Sequence, residues 1–432
     1  MSNSKKSTSF SIKDIALSGQ GENNIAWAES NMLALLKLRQ RFEREKPLKN
    51  IVIGIALHIT KETAALVETL RSGGAEVAIA SCNPLSTQDD VAAALATRGA
   101  KVFGFKGESN KEYYDNLQSV VKIMQDAAKK GMILATVDDG CDLITYIHQK
   151  CPELSEFIAV GTEETTTGVV RLKAMEKDRA LKYPVIAVND NKTKHLFDNF
   201  YGTGQSTLDG IMRATSCMLA GSRLVVAGYG PCGQGVAKCA RGMGAIVTVT
   251  EVEPIPALKA RMDGFEVKKM SDAAKYGDIF ITVTGDINVI TAQDMRKMKD
   301  GAILANSGHF DLEIDVKSLR RIAKSVKTIR PGLEKYTLQN GRNILLCGEG
   351  RLVNLACGEG HPSVVMALSF CGQALALEYG IKNKGKLAAK VHVLPEEVDK
   401  QIAASQLKVI EVSIDSLTAE QKRYLNSWKS GT

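Results

Sequence analysis

The chain has 432 residues, enough for two or three domains each with its own core, and its 44% hydrophobic and 24% charged residues are those of an ordinary globular protein. A net charge of +8 is spread along the chain without an arginine-rich or aromatic-interleaved tract, which argues against nucleic acid as a partner. No apolar run approaches the roughly 20 residues that span a bilayer, the opening MSNSKKSTSF lacks the apolar core of a signal peptide, and the nine cysteines form no C-x-x-C pair; a cytoplasmic protein with reduced thiols and no membrane is expected.

Residues 1–12 are polar and rich in Ser and Lys, the pattern of a loose tail. Residues 23–41 have helical spacing, with Met32, Leu33, Leu36 and Leu38 as the apolar stripe. From Lys49 the pattern alternates. Strands are expected at 51–57, 75–80, 101–105, 132–137 and 157–160, with helices at 62–71, 89–97, 112–129 and 142–150 between them. Such alternation implies a mostly parallel sheet covered on both faces. The polar stretch NDNKTKHLFDNFYGTGQST, residues 189–207, suits a hinge, and a helix at 208–219 leads out of it. Further strands are expected at 224–227, 246–250, 279–284, 302–305 and 344–347, with a helix at 292–298. Residues 362–379 read as a helix apolar over most of its surface, hence buried between domains or subunits. After a basic stretch from Lys382, LPEEVDKQIAASQL and LTAEQKRYLNSW read as two short helices.

The most informative stretch is LVVAGYGPCGQGVAKCARGMGAIVTVTE, residues 224–251. A buried strand runs straight into Gly228, Gly230 and Gly233 in G-x-G-x-x-G spacing, a helical pattern follows to about Met243, and the next strand ends on Glu251. The glycines allow a tight turn, let backbone approach a pyrophosphate and let helix pack on strand, while the helix N-terminus favours the phosphates. A carboxylate about 20 residues past the glycines accepts both hydroxyls of an adenosine ribose, so Glu251 argues for NAD over NADP. The expected fold is therefore α/β: two doubly wound Rossmann-like domains joined by a hinge. Residues 1–195 with 361–390 form a substrate-binding domain, 196–360 an NAD-binding domain, and 391–432 a C-terminal oligomerisation segment.

In open α/β sheets ligands bind beyond the carboxyl ends of the strands. Those positions hold His58, Thr60 and Glu62; Ser86, Gln88 and Asp89; Asp138 and Asp139; Glu163 and Glu164 with Thr165, Thr166 and Thr167; and, in the second domain, Thr284, Gly285 and residues 306–309. Singly each has a bland reading: Glu62 as a solvated charge at a helix start, His148 as a helix-surface or capping histidine. Together they place carboxylates and imidazoles opposite a hydride acceptor, with Lys194, Asp198 and Asn199 in the hinge between. That arrangement suits oxidation of a substrate hydroxyl followed by acid/base work on the neighbouring carbon. No H-x-H, H-E-x-x-H or cysteine cluster has ligand spacing, so no metal is expected.

The motifs LHITKET, SCNPLSTQDD, DDGCDL, EETTTG, the hinge stretch, GYGPCGQG, NSGHFDLEID and EGRLVNLACGEGHPS fall between Leu57 and Ser363, within a resemblance that extends from about Ile12 to Trp428. On them the chain resembles the S-adenosylhomocysteine hydrolase family, in a form similar to its short-tailed archaeal and bacterial branch. The resemblance implies reversible hydrolysis of S-adenosyl-L-homocysteine to adenosine and L-homocysteine. Tightly bound NAD, one per subunit, oxidises the 3′-hydroxyl, a base removes the C4′ proton, homocysteine leaves C5′, water adds, and the ketone is reduced again. It implies Lys194 and Asp198 at the 3′-hydroxyl, with burial lowering the pKa of Lys194 so that it accepts the proton. It further implies Asp139 as the C4′ base, Glu164 on the ribose, and His58 and His309 beside C5′. Thr60 and Glu62 are implied at the adenine, with His361 touching the base through its backbone. For the cofactor it implies Thr165, Thr166, Thr167, Asn199, Gly228, Gly230, Pro231, Cys232, Gly233, Gln234, Gly235, Glu251, Ser307, Gly308, His309 and Asn354. The family's usual assembly is a homotetramer.

Three departures from the family pattern stand out. Thr203 replaces a cysteine, Pro256 replaces an asparagine on the cofactor ribose, and the chain ends at NSWKSGT without the Lys/Tyr-containing tail that in long members reaches a neighbour's cofactor. S-inosyl-L-homocysteine is the alternative substrate, but a Glu62 carboxylate accepts from the adenine amino group and repels the hypoxanthine oxygen. A non-catalytic NAD-binding regulatory homologue would be expected to have lost some of His58, Asp139, Glu164, Lys194 or Asp198, and all five are present. A 2-hydroxy-acid dehydrogenase would call for an Arg clamp, and none stands out among the strand-end residues.

Overall fold

The segment IVIGIA, Ile51–Ala56, is buried at every position, as a strand covered on both faces of a parallel sheet must be. The computed structural model, which describes residues 9–429, builds two such sheets. In the first domain the strands are β1 (Phe10–Ser11), β2 (Ile51–Ala56), β3 (Glu76–Ala80), β4 (Lys101–Phe103), β5 (Ile133–Asp138), β6 (Ile158–Glu163) and β7 (Val185–Ala187). The second domain holds β8 (Arg223–Ala227), β9 (Ile246–Thr250), β10 (Glu266–Val267), β11 (Ile279–Thr282), β12 (Ala302–Asn306), β13 (Ala323–Arg330), β14 (Leu333–Leu338) and β15 (Asn343–Cys347). A last short strand, β16 (Val391–His392), pairs with β7 and closes the edge of the first sheet.

The first sheet has the order β1-β4-β3-β2-β5-β6-β7-β16, and every pairing is parallel. The second has the order β10-β9-β8-β11-β12-β15-β14-β13, parallel as far as β15 and antiparallel beyond. Both are doubly wound. From β2 the chain winds one way and from β5 the other; β8 and β11 do the same in the second sheet. Each sheet carries one apolar cluster on each face, so both domains have complete cores of their own.

Several expectations need correcting. Residues 1–8 of the expected loose tail lie outside the described residues, but Phe10–Ser11 is an edge strand on β4. The helix expected at 23–41 is two helices, Ser18–Ser30 and Leu33–Glu45, broken where Met32 turns into the core. The hinge is not a loose connection: Lys192–His195, a π-helical turn Asp198–Gly202 and the helix Thr203–Thr215 follow one another, with Asp198, Asn199, Thr203 and Thr207 buried. The helix expected at 208–219 accordingly starts earlier and ends at Thr215.

The hairpin of β13 and β14 was not expected, because β13 reads as a polar, lysine-rich segment and is exposed along nearly its whole length. Helix Ser363–Lys382 is long and apolar enough to cross a membrane, contrary to the reading that no such run exists. Two thirds of its most apolar stretch is buried within the protein, against helix Leu33–Glu45 and β6, and it behaves as a core helix. Because β16 and the helix Glu396–Val409 pack onto the first domain, that domain extends past residue 390.

Candidate active site

The order of each sheet fixes where its crevice lies, because loops leaving a switch point diverge to opposite faces. In the first sheet the switch falls between β2 and β5, whose carboxyl ends lead into His58 and into Asp138 and Asp139. In the second it falls between β8 and β11, which lead into Gly228 and into Thr284. Both crevices open into one cleft of about 1040 Å³ walled by the two domains. That is at or above the range of roughly 300–1,000 Å³ usual for a single small-ligand site.

Asp139 is the centre of the first cluster. Its Oδ2 lies 3.4 Å from His58 Nε2 and its Oδ1 3.5 Å from His309 Nδ1, so one carboxylate meets an imidazole from each domain. His58 Nδ1 is 2.7 Å from Ser86 Oγ, which fixes the ring. Burial pushes the His58 pKa down to about 4 against the pull of Asp139, so the ring is neutral. Gly140 takes φ +99°, and a Cβ there would come 2.3 Å from His309 Nε2; only glycine leaves room for that imidazole.

Lys194 is the centre of the second cluster. Its Nζ lies 2.5 Å from Asp198 Oδ2, donates to Asn199 Oδ1 at 2.6 Å and lies 3.7 Å from Glu164 Oε1. Burial alone would lower its pKa, but Asp198 and Glu164 outweigh it and hold the amine above its ordinary value. The expected proton-accepting neutral lysine is therefore replaced by an ammonium. The same pairing reverses the effect of burial on Asp198, which is held well below the usual carboxylate range by Lys194 and His361. The His361 side chain has partners of its own: Nδ1 bonds Asp198 Oδ1, and Nε2 stands 3.5 Å from Thr203 Oγ1. Glu164 receives Ser369 Oγ and, at 2.6 Å, Gln373 Nε2 from helix Ser363–Lys382, and burial pushes its pKa up to about 7.

Thr60 and Glu62 sit at the start of helix Lys61–Ser72 on the cleft wall. Thr60 Oγ1 caps Thr63 N, and Glu62 accepts from Ser363 Oγ at 2.6 Å. Across the cleft the residues fit a dinucleotide. Gly230 caps the twelve-residue helix Pro231–Gly242 without any side-chain bond, and a Cβ on it would meet nothing within 4 Å, so the helix N-terminus is bare toward the cleft. Glu251, past the tip of β9, accepts from the N–H groups of Tyr229, Val252 and Glu253 at 2.7, 2.7 and 3.1 Å. Asn354 donates to Ser206 Oγ at 3.1 Å, but its buried Oδ1 has no partner among the described residues.

Gly228, Pro231 and Cys232 join this wall, as do Thr165, Thr166, Thr167 and Asn199. Ser307, bonded to Thr207 Oγ1 at 2.6 Å, and Gly308 face it from the end of β12. Gly233, Gln234 and Gly235 do not line the cleft. A Cβ on Gly233 would lie 2.0 Å from Gly228 O and one on Gly235 2.0 Å from Phe200 O, so both serve close packing, while Gln234 donates to Tyr229 O at 3.1 Å. His148 is structural: Nδ1 donates to Ile144 O at 2.7 Å and Nε2 accepts from Lys182 N at 3.1 Å.

Three residues not singled out from the sequence, Ser363, Ser369 and Gln373, orient the ionisable groups of the site together with Ser86, which was. Asp138 and Glu163 lie beneath Asp139 and Glu164 and are fully buried; burial pushes Asp138 up to about 8. The doubled acids at two strand ends were the available signal, since successive strand residues face opposite ways.

Residues 9–160 match the S-adenosyl-L-homocysteine hydrolase family, and residues 199–360 match the NAD-binding domain of S-adenosyl-L-homocysteine hydrolase. The chain is 56% identical over 424 residues to a protein of Saccharolobus solfataricus named adenosylhomocysteinase, covering 98% of this chain and 100% of that one. Over 424 residues it is 53% identical to the adenosylhomocysteinase of Aquifex aeolicus, with coverage of 98% and 100%. Over 423 residues it is 55% identical to a Methanocaldococcus jannaschii protein named S-inosyl-L-homocysteine hydrolase, again with 98% and 100% covered.

Proposed function

The chain belongs to the S-adenosyl-L-homocysteine hydrolase family, and from that premise we infer that it reversibly hydrolyses S-adenosyl-L-homocysteine to adenosine and L-homocysteine with NAD held between its domains. The observation that carries the reading is the single cleft in which two switch points meet, with Asp139 between two imidazoles and Lys194 between two carboxylates. When bound, the nicotinamide supplies a reversible hydride acceptor for C3′ of the nucleoside. The bare helix N-terminus at Gly230, Glu251 and the free Oδ1 of Asn354 are the groups that would hold the dinucleotide.

Around the 3′-hydroxyl the forward oxidation releases a proton that passes by way of Asp198 to His361, and the same path returns it when the ketone is reduced. Lys194, an ammonium throughout, stabilises the oxyanion as it forms in either direction. The ketone acidifies the neighbouring C4′ hydrogen, and Asp139 removes it. Loss of that proton lets homocysteine leave C5′. His58, neutral and facing Asp139, then serves proton transfer at C5′, and His309 closes the pocket from the other domain. Burial of both clusters keeps bulk water from the reactive ketone.

Glu164 anchors the ribose, and Glu62 favours adenine because a carboxylate accepts from an amino group and repels an oxygen. Nine free cysteines support a reducing, cytoplasmic setting. The exposed apolar side chains of Ile414, Leu417, Tyr424, Leu425 and Trp428 support assembly with further copies, a tetramer by family resemblance. The test is release of homocysteine thiol from adenosyl and inosyl substrates by purified protein. Adenosyl substrate is expected to win by a factor of about 100, the upper scale set by the roughly 1–3 kcal/mol cost of a buried polar group left unpaired; preference for the inosyl substrate, or no thiol from either, would contradict the reading.

A further inference from the structure

Two acid doublets end neighbouring strands of the first sheet: Asp138 and Asp139 at the tip of β5, Glu163 and Glu164 at the tip of β6. Asp138 and Glu163 are partners in the parallel register. Asp139 and Glu164 line the cleft, whereas Glu163 is fully buried beneath it and has no task in the reaction as described.

Its bonds are specific. One oxygen, Oε1, accepts the N–H of Gly140 at 2.9 Å and the N–H of Thr165 at 3.0 Å. Gly140 immediately follows Asp139, and Thr165 opens the threonine run on the cleft wall. The turn thus held is the one whose positive φ admits the His309 imidazole. Space for the carboxyl is reserved by Gly168, where a Cβ would come 2.2 Å from the Glu163 carboxyl carbon. The other oxygen, Oε2, is buried and has no partner among the described residues.

We propose that Glu163 is a positioning residue whose single oxygen ties the turn after Asp139 to the start of the Thr165 segment, keeping the base, the seat of His309 and the threonine wall in one register. The proposal rests on the reading of Asp139 as the C4′ base. Burial beside Asp138 and Asp139 pushes the Glu163 carboxyl well above the usual carboxylate range, toward its neutral form. A neutral acceptor is one that an amide can imitate.

The test compares Glu163→Ala, Glu163→Gln and Asp139→Asn as NAD-loaded enzymes given adenosine. Reduction of the bound nicotinamide is followed by absorbance, and exchange of the C4′ hydrogen with deuterated water by NMR. Glu163→Ala is expected to lose C4′ exchange by roughly 100-fold, the scale of a 1 Å misplacement, while nicotinamide reduction and the KM for adenosine move by less than about threefold. Glu163→Gln is expected to recover most of the exchange. Hydrogen-exchange mass spectrometry without substrate is expected to show Gly140 and Thr165 losing amide protection together in Glu163→Ala and keeping it in Glu163→Gln.

Wild-type exchange in Glu163→Ala would overturn the proposal, and so would Glu163→Gln being as impaired as Glu163→Ala. Equal loss of reduction and exchange, the signature of a merely structural lesion, would also overturn it. If Glu163→Ala does not fold, Glu163→Asp, one methylene too short to reach both N–H groups, is read by the same criteria. Undiminished exchange in Asp139→Asn removes the premise and the proposal with it. A silent Glu163→Ala beside an inactive Asp139→Asn removes the tether alone.

Discussion

His309 of the second domain reaches across the cleft to place Nδ1 3.5 Å from Oδ1 of Asp139 in the first. The contact joins the ends of strands from two separate sheets, so the acid/base centre is assembled only when the two domains meet. On the first-domain side Asp139 also meets His58. The carboxylate proposed to take the C4′ proton therefore lies between two imidazoles on the wall of the cleft.

Replacing Asp139 by Asn keeps the shape of the side chain and removes its basicity. Turnover is expected to fall by roughly 10²- to 10⁴-fold, the usual contribution of a positioned base. Reduction of bound nicotinamide on adding adenosine should persist, because Lys194 and Asp198 are untouched. Rapid hydrolysis by this variant would place the base elsewhere.

The Lys194 and Asp198 pair is buried at the floor of the cleft, so breaking it leaves a charge with reduced compensation. Asp198→Ala is expected to cost about 3 kcal/mol in urea unfolding of the NAD-free protein, at the low end for a broken buried pair because Glu164 remains near the amine. A variant as stable as the wild type would mean that the pair is not formed in solution.

His58 has a folded pKa of about 4 against an ordinary 6.5, so the unfolded chain binds its proton first. The contribution of this group to stability is complete above pH 6.5 and is lost as pH falls toward about 4. Asp138 and Glu164 act in the opposite sense: their raised values, about 8 and about 7, give stability that is present in acid and lost as pH rises through those values. His58→Gln should therefore flatten the acid side of the stability curve by up to about 3 kcal/mol and leave the alkaline side unchanged. Thermal unfolding from pH 4 to 9 checks this, and an unaltered acid side would contradict a neutral, buried His58.

Glu251 secures the loop at Tyr229, Val252 and Glu253 through three N–H bonds, and it is the group proposed to take the adenosine ribose. Glu251→Ala is expected to purify with less than about a tenth of the normal NAD content, given that a hydrogen bond to a charged group contributes roughly 1.5–3 kcal/mol. The absorbance spectrum and extracted cofactor measure it. Full occupancy would contradict the assignment of this loop.

Much of the site was legible because the chemistry of open α/β sheets is concentrated at strand ends, and a strand end is a sharp boundary between an apolar run and polar residues. His58, Asp139, Glu164 and the glycine loop were all found in this way. Residues that act from helices were not, because Ser369 and Gln373 lie within an otherwise apolar helix and reveal a partner only when folded against Glu164. The charge state of Lys194 was misread for a related reason: burial is visible in a sequence, but two carboxylates at 2.5 and 3.7 Å are not. The β13 and β14 hairpin escaped notice because its first strand is solvated, although the Pro331-Gly332 turn between them was a readable signal.

The central claim is that a hydride is taken from the substrate and returned within one turnover. Its most direct test is to mix purified NAD-loaded protein with S-adenosyl-L-homocysteine and record nicotinamide absorbance while homocysteine thiol is released. The account predicts reduced nicotinamide that rises to at most one equivalent per subunit and does not accumulate over many turnovers. Thiol release without any reduced nicotinamide, or reduced nicotinamide accumulating in step with product, would contradict it.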